Sequence, residues 1–377
     1  ALKLDESPFT VPVTAQTWQD EIRYAGVSSF GIGGTNCHMI VASLPDELKL
    51  PLPGADDGSR STALLLSAAS DTALRQLATD YARALRENAD ASNLAFTALR
   101  ARRLDLPFRL ATALNDDTAA ALSAWAGEQA GAPVYSGHGV SGKQVWLFTG
   151  QGSHWRTMGH AMCQRSKVFA DTLERCFSAC REMLTPSLRD AMFNPDSAQL
   201  EEMTWAQPAI VAFEIAMAAH WRAEGLQPDY AIGHSVGEFA AAVVCGHYTI
   251  EQVMPLVCRR GALMQLCANG AMVAVFAQEE ALMPLARQFE LDLAANNGTR
   301  HTVFSGPEAR IAEFCAALSQ RDISYRRLSV SGAAHSALLE PILDRFQDAC
   351  AGLHAEPGQL QLISTLTAGA DRKSTRL

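Results

Sequence analysis

The stretch Pro228-Asp-Tyr-Ala-Ile-Gly-His-Ser-Val-Gly-Glu-Phe-Ala-Ala-Ala-Val-Val-Cys245 combines an apolar strand, a tight turn and a helix in immediate succession. We expect the strand at 228–232, the turn at 233–237 and the helix at 238–245. The turn has the pattern Gly-x-Ser-x-Gly, whose glycines let the chain turn sharply so that the serine hydroxyl projects above a sheet. Because the flanking pattern agrees with this geometry, we predict that Ser235 is a nucleophile. The alternative is a glycine-rich turn with a capping serine.

Strands and helices alternate around this stretch. Val145-Trp-Leu-Phe148 is predicted to be a buried strand, and helical segments follow it to about residue 225. Such alternation is typical of an α/β domain with a parallel sheet covered on both faces, here of the α/β-hydrolase-like kind. Residues 269–329 instead show the order βαββαβ, which predicts a ferredoxin-like small subdomain inserted as a lid. The large subdomain would then comprise 141–268 and 330–377.

The first 140 residues predict two further units. Residues 1–45 contain a glycine-rich run that leads into a short strand, which is typical of the last part of a preceding domain. Residues 46–140 alternate between short strands and helices and predict a small α/β linker domain. Proline and glycine in the segment 51–59 mark the boundary between them.

The composition limits the classes of function. Hydrophobic residues make up 48% and charged residues 19%, which allows a large buried core. A formal net charge of −9 argues against a nucleic-acid-binding protein. The nine cysteines form no zinc-binding pattern and suit a reducing compartment. With no apolar run of 18 residues and no signal-peptide pattern, we expect a cytoplasmic protein without membrane contact or bound metal.

A serine nucleophile requires a base and donors for an oxyanion. His335 lies where the chain returns from the small subdomain, at the place where a cleft would form, although an isolated histidine can also be structural. Gln151 lies in a glycine-rich turn after the first strand, where backbone N–H groups can face a ligand. Arg260 lies in an apolar helix. Its guanidinium reaches the surface, pairs with an acidic residue, or holds a substrate carboxylate through two hydrogen bonds.

Three motifs follow one another along the chain, in residues 148–155, 233–238 and 297–306. Together they resemble the acyltransferase region of modular type I polyketide synthases, which is similar to malonyl-CoA:acyl carrier protein transacylases. Residues 148–155 resemble the opening Gly-Gln-Gly-Ser motif, and residues 233–238 resemble the Gly-His-Ser-x-Gly-Glu nucleophile motif. Residues 297–306 resemble the Asn-Gly segment of the family. Residues 23–38 resemble the C-terminal end of a ketosynthase, so 46–140 would be the ketosynthase-to-acyltransferase linker.

The resemblance implies ping-pong transfer of an extender unit from an acyl-CoA to the phosphopantetheine thiol of an acyl carrier protein. The adjacent ketosynthase would be a partner, and no bound cofactor is implied. Ser235 would attack the thioester while His335 removes its proton. The oxyanion hole would consist of the backbone N–H groups of Gln151 and Val236. The implied substrate-binding residues are Arg260, which would bind the free carboxylate of the extender unit, together with His234, Gln207, Gly332 and Ala334.

The resemblance favours malonyl as the extender unit. Val236 after the nucleophile and the run Thr204-Trp-Ala-Gln-Pro208 are similar to malonyl-specific members. Malonyl enzymes usually carry His-Ala-Phe-His, and methylmalonyl enzymes Tyr-Ala-Ser-His, where this chain has Gly332-Ala-Ala-His335. The missing phenylalanine leaves room beside the α-carbon, and one methyl group changes binding by only about 1–3 kcal/mol. Methylmalonyl or another dicarboxylic acyl-CoA is therefore the alternative substrate.

Two other functions compete with this interpretation. A serine hydrolase of the α/β-hydrolase type would need an acidic partner for the histidine, and Asp292 and Asp322 are the candidates. A scaffold that docks a carrier protein or neighbouring modules would need no reactive serine. The family continues beyond the segment 362–369 with an asparagine that orients the histidine, whereas the tail at 370–377 does not resemble it. We therefore expect a C-terminal truncation.

Overall fold

The computed structural model describes residues 6–14, 17, 22–44, 63–87, 89–139, 142–267, 270–328, 332–367 and 369–370. The segment 51–59 and the tail from residue 371, both of which the sequence analysis singled out, lie outside these ranges. The chain divides into two compact units, Ala1–Ser141 and Gly142–Leu377. The finer domain limits given above stay predictions. Among the described residues, no helix has the length and apolar character needed to cross a membrane.

The first unit contains a hairpin and a small α/β layer. The hairpin pairs strands β1 (Tyr24–Phe30) and β2 (Asn36–Ala42) in antiparallel register. A three-stranded antiparallel sheet with the order β3-β4-β5 packs against helices, and Leu64, Leu74 and Leu122 are buried between them. The elements of this layer are β3 (Ala63–Ala68), α1 (Asp71–Arg86), α2 (Ala91–Ala101), β4 (Phe108–Ala113), α3 (Thr118–Ala126) and β5 (Val134–His138).

The large subdomain of the second unit is built on a sheet with the order β13-β12-β7-β6. Strands β6, β7 and β12 are parallel, and β13 joins β12 in antiparallel register. Its elements are β6 (Val145–Phe148), α4 (His160–Arg165), α5 (Lys167–Cys180), α6 (Leu188–Phe193), α7 (Met203–Ala223), β7 (Tyr230–Gly233), α8 (Gly237–Cys245), α9 (Ile250–Gln265), α12 (Leu343–Cys350), β12 (Gln361–Ser364) and β13 (Gly369–Ala370).

The small subdomain is a four-stranded antiparallel sheet with the order β11-β8-β10-β9. Its elements are β8 (Gly270–Val275), α10 (Glu279–Gln288), β9 (Asp292–Asn296), β10 (Thr302–Pro307), α11 (Glu308–Ser319) and β11 (Tyr325–Arg327). Phe304 and Phe314 are fully buried in its core. Both the chain order βαββαβ and the strand order are those of a ferredoxin-like unit, which confirms the predicted α/β class with an inserted small subdomain.

Helices α7 and α9 approach closely at one glycine. A Cβ atom on Gly261 would lie 2.4 Å from the carbonyl oxygen of Met203, at the start of α7. That distance is shorter than any van der Waals contact, so a side chain here would push the helices apart. Since Arg260 and Gln207 lie on these two helices, the missing side chain lets them meet.

We expect Gly261→Ala to lower the free energy of unfolding by about 1–3 kcal/mol, because overpacking costs that much in a packed interior. Alanine is a better helix former than glycine by about 1 kcal/mol, so a gain in stability would show that no steric conflict exists. Urea-induced unfolding measures the difference. Gly142→Ala is the control, since a Cβ there has no atom within 4 Å, and its stability should stay within about 0.5 kcal/mol of the wild type.

Candidate active site

Ser235 occupies a strained turn between β7 and α8. Its φ of 52° lies in the left-handed region, which few residues other than glycine adopt. Both flanking glycines are needed for close backbone approaches. A Cβ on Gly233 would lie 2.3 Å from the backbone nitrogen of Glu238, and a Cβ on Gly237 would lie 2.4 Å from the carbonyl oxygen of Thr149. The turn therefore has the geometry of a nucleophile elbow.

The structure places His335 beside this serine, 100 residues along the chain. The Oγ atom of Ser235 lies 2.8 Å from Nε2 of His335. The histidine has a φ of 60°, in a loop between the small subdomain and a short 3₁₀ helix, Ala337–Ile342. A neutral imidazole can accept the serine proton at Nε2 while its own proton remains on Nδ1. The two groups thus have the spacing of a nucleophile and its base.

Neither of the two candidate acidic partners for a hydrolase triad is hydrogen-bonded to His335 in the described part of the chain. Asp292 accepts a hydrogen bond from the backbone N–H of Ala337 at 2.8 Å. Asp322 lies in a turn after α11 with a φ of 55°. Within the ranges that the structure describes, neither carboxylate is hydrogen-bonded to His335. This geometry does not favour a Ser-His-Asp arrangement.

Arg260 is held by an amide instead of a carboxylate. Its Nη1 donates to Oε1 of Gln207 at 2.6 Å, and the amide of Gln207 donates to the sulfur of Met264 at 3.3 Å. The guanidinium carbon lies 5.8 Å from the centre of the Phe239 ring. Among the described residues, no carboxylate forms an ion pair with Arg260. A partly buried cation without a counter-ion suits an anionic ligand.

The predicted residues meet at one cavity of about 110 Å³, between the two subdomains of the second unit. Val236 is the exception, because its side chain is buried in the core at 1% exposure and only its backbone can face a ligand. The predicted residues that line the cavity are Gln151, Gln207, His234, Ser235, Arg260, Gly332, Ala334 and His335. Val330 and Ser331, in the same loop as His335, lie outside the described residues.

The sequence analysis missed the apolar wall of this cavity. Met203, Met264 and Met272 line it, and Ala295 contributes from the small subdomain. Nothing in their local patterns separates them from core methionines and alanines. Asn297 also lines the cavity, and its Asn-Gly segment was the one available signal.

The turn that carries Gln151 packs against the residue before the nucleophile. A Cβ on Gly150 would lie 2.6 Å from Nδ1 of His234, and the backbone N–H of His234 donates to the carbonyl of Phe148 at 2.8 Å. These contacts bring the backbone after β6 alongside the elbow. The arrangement is suited to placing a backbone N–H near the serine, as an oxyanion hole requires.

Electrostatics oppose protonation of the histidine. Part of His335 stays exposed, but protein atoms surround its ring and this burial lowers its pKa. The charges of Arg260 and then His234 lower the pKa further, to about 4. Burial likewise lowers the pKa of the Arg260 guanidinium to about 10, and the nearby charge of Glu238 opposes that shift. At neutral pH the arginine is therefore charged and the histidine neutral. Among the described residues, no cluster of His, Cys, Asp or Glu could hold a metal ion.

Comparison with protein families gives two matches. Residues 145–376 match the family described as acyl transferase domain, and residues 1–112 match the ketoacyl-synthetase C-terminal extension. The first match covers the whole cavity described above. The second covers the hairpin and most of the small α/β layer.

Similar curated proteins are large polyketide synthases. The chain is 34% identical over 371 residues to mycoketide-CoA synthase of Mycobacterium tuberculosis, a match that covers 97% of this chain and 9% of that protein. It is 35% identical over 368 residues to the phenolphthiocerol synthesis polyketide synthase type I Pks15/1 of Mycobacterium marinum, with 95% and 17% covered. The chain thus spans less than a fifth of the length of these relatives.

Solved structures of similar fold are acyltransferases. The acyltransferase domain from module 8 of the salinomycin polyketide synthase superposes with a TM-score of 0.72 at 29% identity, covering 82% of this chain and 75% of that one. The malonyl CoA-acyl carrier protein transacylase of Coxiella burnetii superposes with a TM-score of 0.54 at 24% identity, covering 60% and 74%. The second likeness concerns the fold alone.

The pKa of His335 can be tested without any acyl-CoA. The rate at which an organophosphorus reagent inactivates Ser235 should be constant between about pH 5 and 8 and should fall as the pH drops through about 4. The loss occurs on the acidic side because only the neutral histidine can remove the proton. Arg260→Gln should move this midpoint upward, since the charge that lowers the histidine pKa is gone.

Arg259→Gln is the matched control, because Arg259 is the exposed neighbour on the same helix. It should leave the midpoint unchanged. A wild-type midpoint near the ordinary histidine value of about 6.5 would contradict the electrostatic picture.

Proposed function

Because the chain belongs to the acyl transferase domain family of modular type I polyketide synthases, we propose that it loads a malonyl extender unit onto an acyl carrier protein through an ester on Ser235. One observation carries the proposal. The Ser235–His335 pair, with 2.8 Å between Oγ and Nε2, opens onto the same cavity as the unpaired cation of Arg260. A nucleophile, a base and a carboxylate-binding group at one cavity suit a dicarboxylic thioester.

In the first half-reaction Ser235 attacks the thioester carbonyl of malonyl-CoA. The serine proton passes to Nε2 of His335 as the Oγ–carbon bond forms. The backbone N–H groups of Gln151 and Val236 stabilise the negative charge on the carbonyl oxygen. When the carbon–sulfur bond breaks, the histidinium returns its proton to the thiolate, and coenzyme A leaves as the free thiol. The malonyl ester on Ser235 is the product of this step.

Arg260 supports the choice of a dicarboxylic substrate in two ways. First, its partly buried charge gains a counter-ion when the free carboxylate binds, whereas an acetyl group would leave it unpaired at a cost. Second, the charge of Arg260 lowers the pKa of His335. A carboxylate on the arginine offsets this charge, so the histidine becomes a stronger base when the correct class of substrate is bound. Gln207 orients the guanidinium for this role.

In the second half-reaction the phosphopantetheine thiol of a carrier protein attacks the malonyl ester. His335 accepts the thiol proton and transfers it to Ser235, which regenerates the free hydroxyl. The match to a ketoacyl-synthetase extension and the multidomain relatives support an adjacent ketosynthase and a carrier protein in the same assembly. No metal or redox group has a role in these steps.

The malonyl preference rests on the residues beside the cavity. Gly332 and Ala334 line the cavity and present little bulk, while the longer side chains of Met203 and Met264 also line it. The small cavity volume of about 110 Å³ favours the smallest dicarboxylic unit. Methylmalonyl is the second candidate, because Ala334 presents no bulk against a methyl branch.

Intact mass after brief incubation with malonyl-CoA, methylmalonyl-CoA or acetyl-CoA tests the nucleophile and the substrate together. We expect a malonyl adduct on the wild type, a weaker methylmalonyl adduct, and no acetyl adduct. Ser235→Ala should abolish every adduct because, in the part of the chain that the structure describes, Ser235 is the nucleophile hydrogen-bonded to His335. Ser178→Ala, at an exposed serine of α5, serves as a control that should still be acylated.

The outcomes separate the alternatives. An equal methylmalonyl adduct would mean that the substrate assignment is wrong while the acyltransferase mechanism stands. An adduct that disappears within minutes without a carrier protein would favour a hydrolase. A wild type that takes none of the three groups would favour the scaffold function.

Restoring bulk at Ala334 should sharpen the substrate preference. We expect Ala334→Phe to lower the acylation rate with methylmalonyl-CoA roughly tenfold more than the rate with malonyl-CoA, since one methyl group is worth about 1–3 kcal/mol in a fitted pocket. Single-turnover rates with each acyl-CoA measure the ratio. An unchanged ratio in a variant that unfolds at the wild-type urea concentration would show that position 334 does not face the α-carbon.

A further inference from the structure

The turn that carries Gln151 is held at its first residue by a carboxylate from another element. Thr149 follows β6 directly, and Glu214 lies in the middle of α7. The backbone N–H of Thr149 donates to Oε1 of Glu214 at 2.5 Å, and the Thr149 hydroxyl donates to the same oxygen at 2.7 Å. Two donors from one residue that converge on one carboxylate oxygen fix both the position and the orientation of Thr149.

Hydrogen bonds carry this anchor into the rest of the turn. The hydroxyl of Ser153 lies 2.8 Å from that of Thr149 and 2.9 Å from the carbonyl of Gly150. Because the Thr149 proton points to Glu214, the single Ser153 proton serves either the Gly150 carbonyl or the Thr149 hydroxyl at any one time. Thr149, Gly150 and Ser153 therefore form one network, and Gln151 lies inside it.

Thr149 also lies against the nucleophile elbow. Its carbonyl oxygen would be 2.4 Å from a Cβ on Gly237, so the backbone of the turn and that of the elbow are in direct contact. Any shift of Thr149 would change the distance between the Gln151 backbone and Ser235. The carboxylate of Glu214 is thus connected to the elbow of Ser235 through two contacts: its hydrogen bonds to Thr149 and the backbone contact of Thr149 with Gly237.

Glu214 is costly to keep where it is. It lies in the apolar run Val211-Ala-Phe-Glu-Ile-Ala216 of α7, and its second oxygen, Oε2, is buried without a hydrogen-bond partner. Burial raises the pKa of its carboxyl to about 7, even though the two bonds from Thr149 lower it. An apolar side chain would pack there at no such cost, so stability does not explain the residue.

We propose that Glu214 is a positioning residue for the oxyanion hole, which holds Thr149 so that the Gln151 backbone N–H meets the developing oxyanion. This inference rests on the proposed function. Charge on the carbonyl oxygen appears only in the transition state, so misplacing its donor lowers the acylation rate and leaves ground-state binding unchanged. Binding of the acyl-CoA depends on Arg260, which is hydrogen-bonded to Gln207 and not to Glu214 or Thr149, and stays intact.

Two substitutions distinguish the effect of the hydrogen-bond acceptor at position 214 from the effect of the side-chain volume. Glu214→Gln keeps a carbonyl oxygen that can accept both bonds from Thr149, whereas Glu214→Leu fills similar space without an acceptor. Rapid-quench single turnovers with malonyl-CoA give the acylation rate and the apparent Kd. We expect Glu214→Leu to lower the acylation rate roughly 10–100-fold while the apparent Kd stays within about twofold of the wild type. Losing an oxyanion donor outright lowers the rate by a factor of about 10²–10³. Glu214→Gln should keep the acylation rate within about threefold of the wild type.

Glu224→Leu is the matched control, because Glu224 is an exposed glutamate at the end of the same helix. It should leave both constants unchanged. Urea-induced unfolding of each variant checks that the fold is intact. Should the leucine variant fail to fold, Thr149→Val tests the same network, since it removes the hydroxyl bond and keeps the backbone bond. A loss of about 3–10-fold in the acylation rate is then expected, smaller than that of an outright donor loss.

The outcomes distinguish this inference from the proposed function. A Glu214→Leu protein that acylates at the wild-type rate, in an assay where Ser235→Ala is inert, refutes the positioning role and leaves the function standing. Equal losses of acylation rate in Glu214→Gln and Glu214→Leu, or a change confined to the apparent Kd, also refute the positioning role. A wild type that takes no malonyl group overturns the proposed function and, with it, the positioning role.

Discussion

The contact between the backbone at the end of β6 and the start of α8 is the constraint on which the site depends. A Cβ atom on Gly237 would lie 2.6 Å from the carbonyl oxygen of Phe148 and 2.4 Å from that of Thr149. Only glycine allows two backbone segments to approach this closely. The approach brings the turn of Gln151 next to Ser235. The strained φ of Ser235 is stabilised by the same packing, since a local strain persists only where its surroundings hold it.

A second constraint is electrostatic, and it acts on the same few residues. In the proposed function Arg260 must be charged to bind the substrate carboxylate, yet burial and then that charge lower the pKa of His335, the proposed base for the serine. The two demands are reconciled if the substrate brings the missing negative charge. Without a bound carboxylate His335 is then a weaker base, and with a dicarboxylic thioester bound it is a stronger one. Such an arrangement couples recognition to chemistry without any movement of the chain.

The sequence was informative where chemistry depends on local backbone geometry. The pattern Gly-x-Ser-x-Gly between an apolar strand and a helix predicts the elbow around Ser235, and the order βαββαβ predicts the small subdomain. The partnership of Ser235 with His335 depends on how the loop that follows the small subdomain packs against the elbow, so the sequence could supply only a position for a cleft. Glu214 was missed entirely. A charged residue inside an apolar helix was its only signal, and nothing local indicates that its partner is Thr149.

The two subdomains contribute different residues to the cavity, and this has a consequence for substrate specificity. Ser235 and the proposed oxyanion donors lie on backbone segments of the large subdomain that approach each other too closely at Gly237 to admit a Cβ atom. The small subdomain contributes the side chains of Met272, Ala294 and Val303 to the lining of the cavity. Under the proposed function, substitutions among these three residues change the space around the substrate and leave in place the backbone segments that carry Ser235 and Gln151. The choice of extender unit can then change while the mechanism of transfer stays the same.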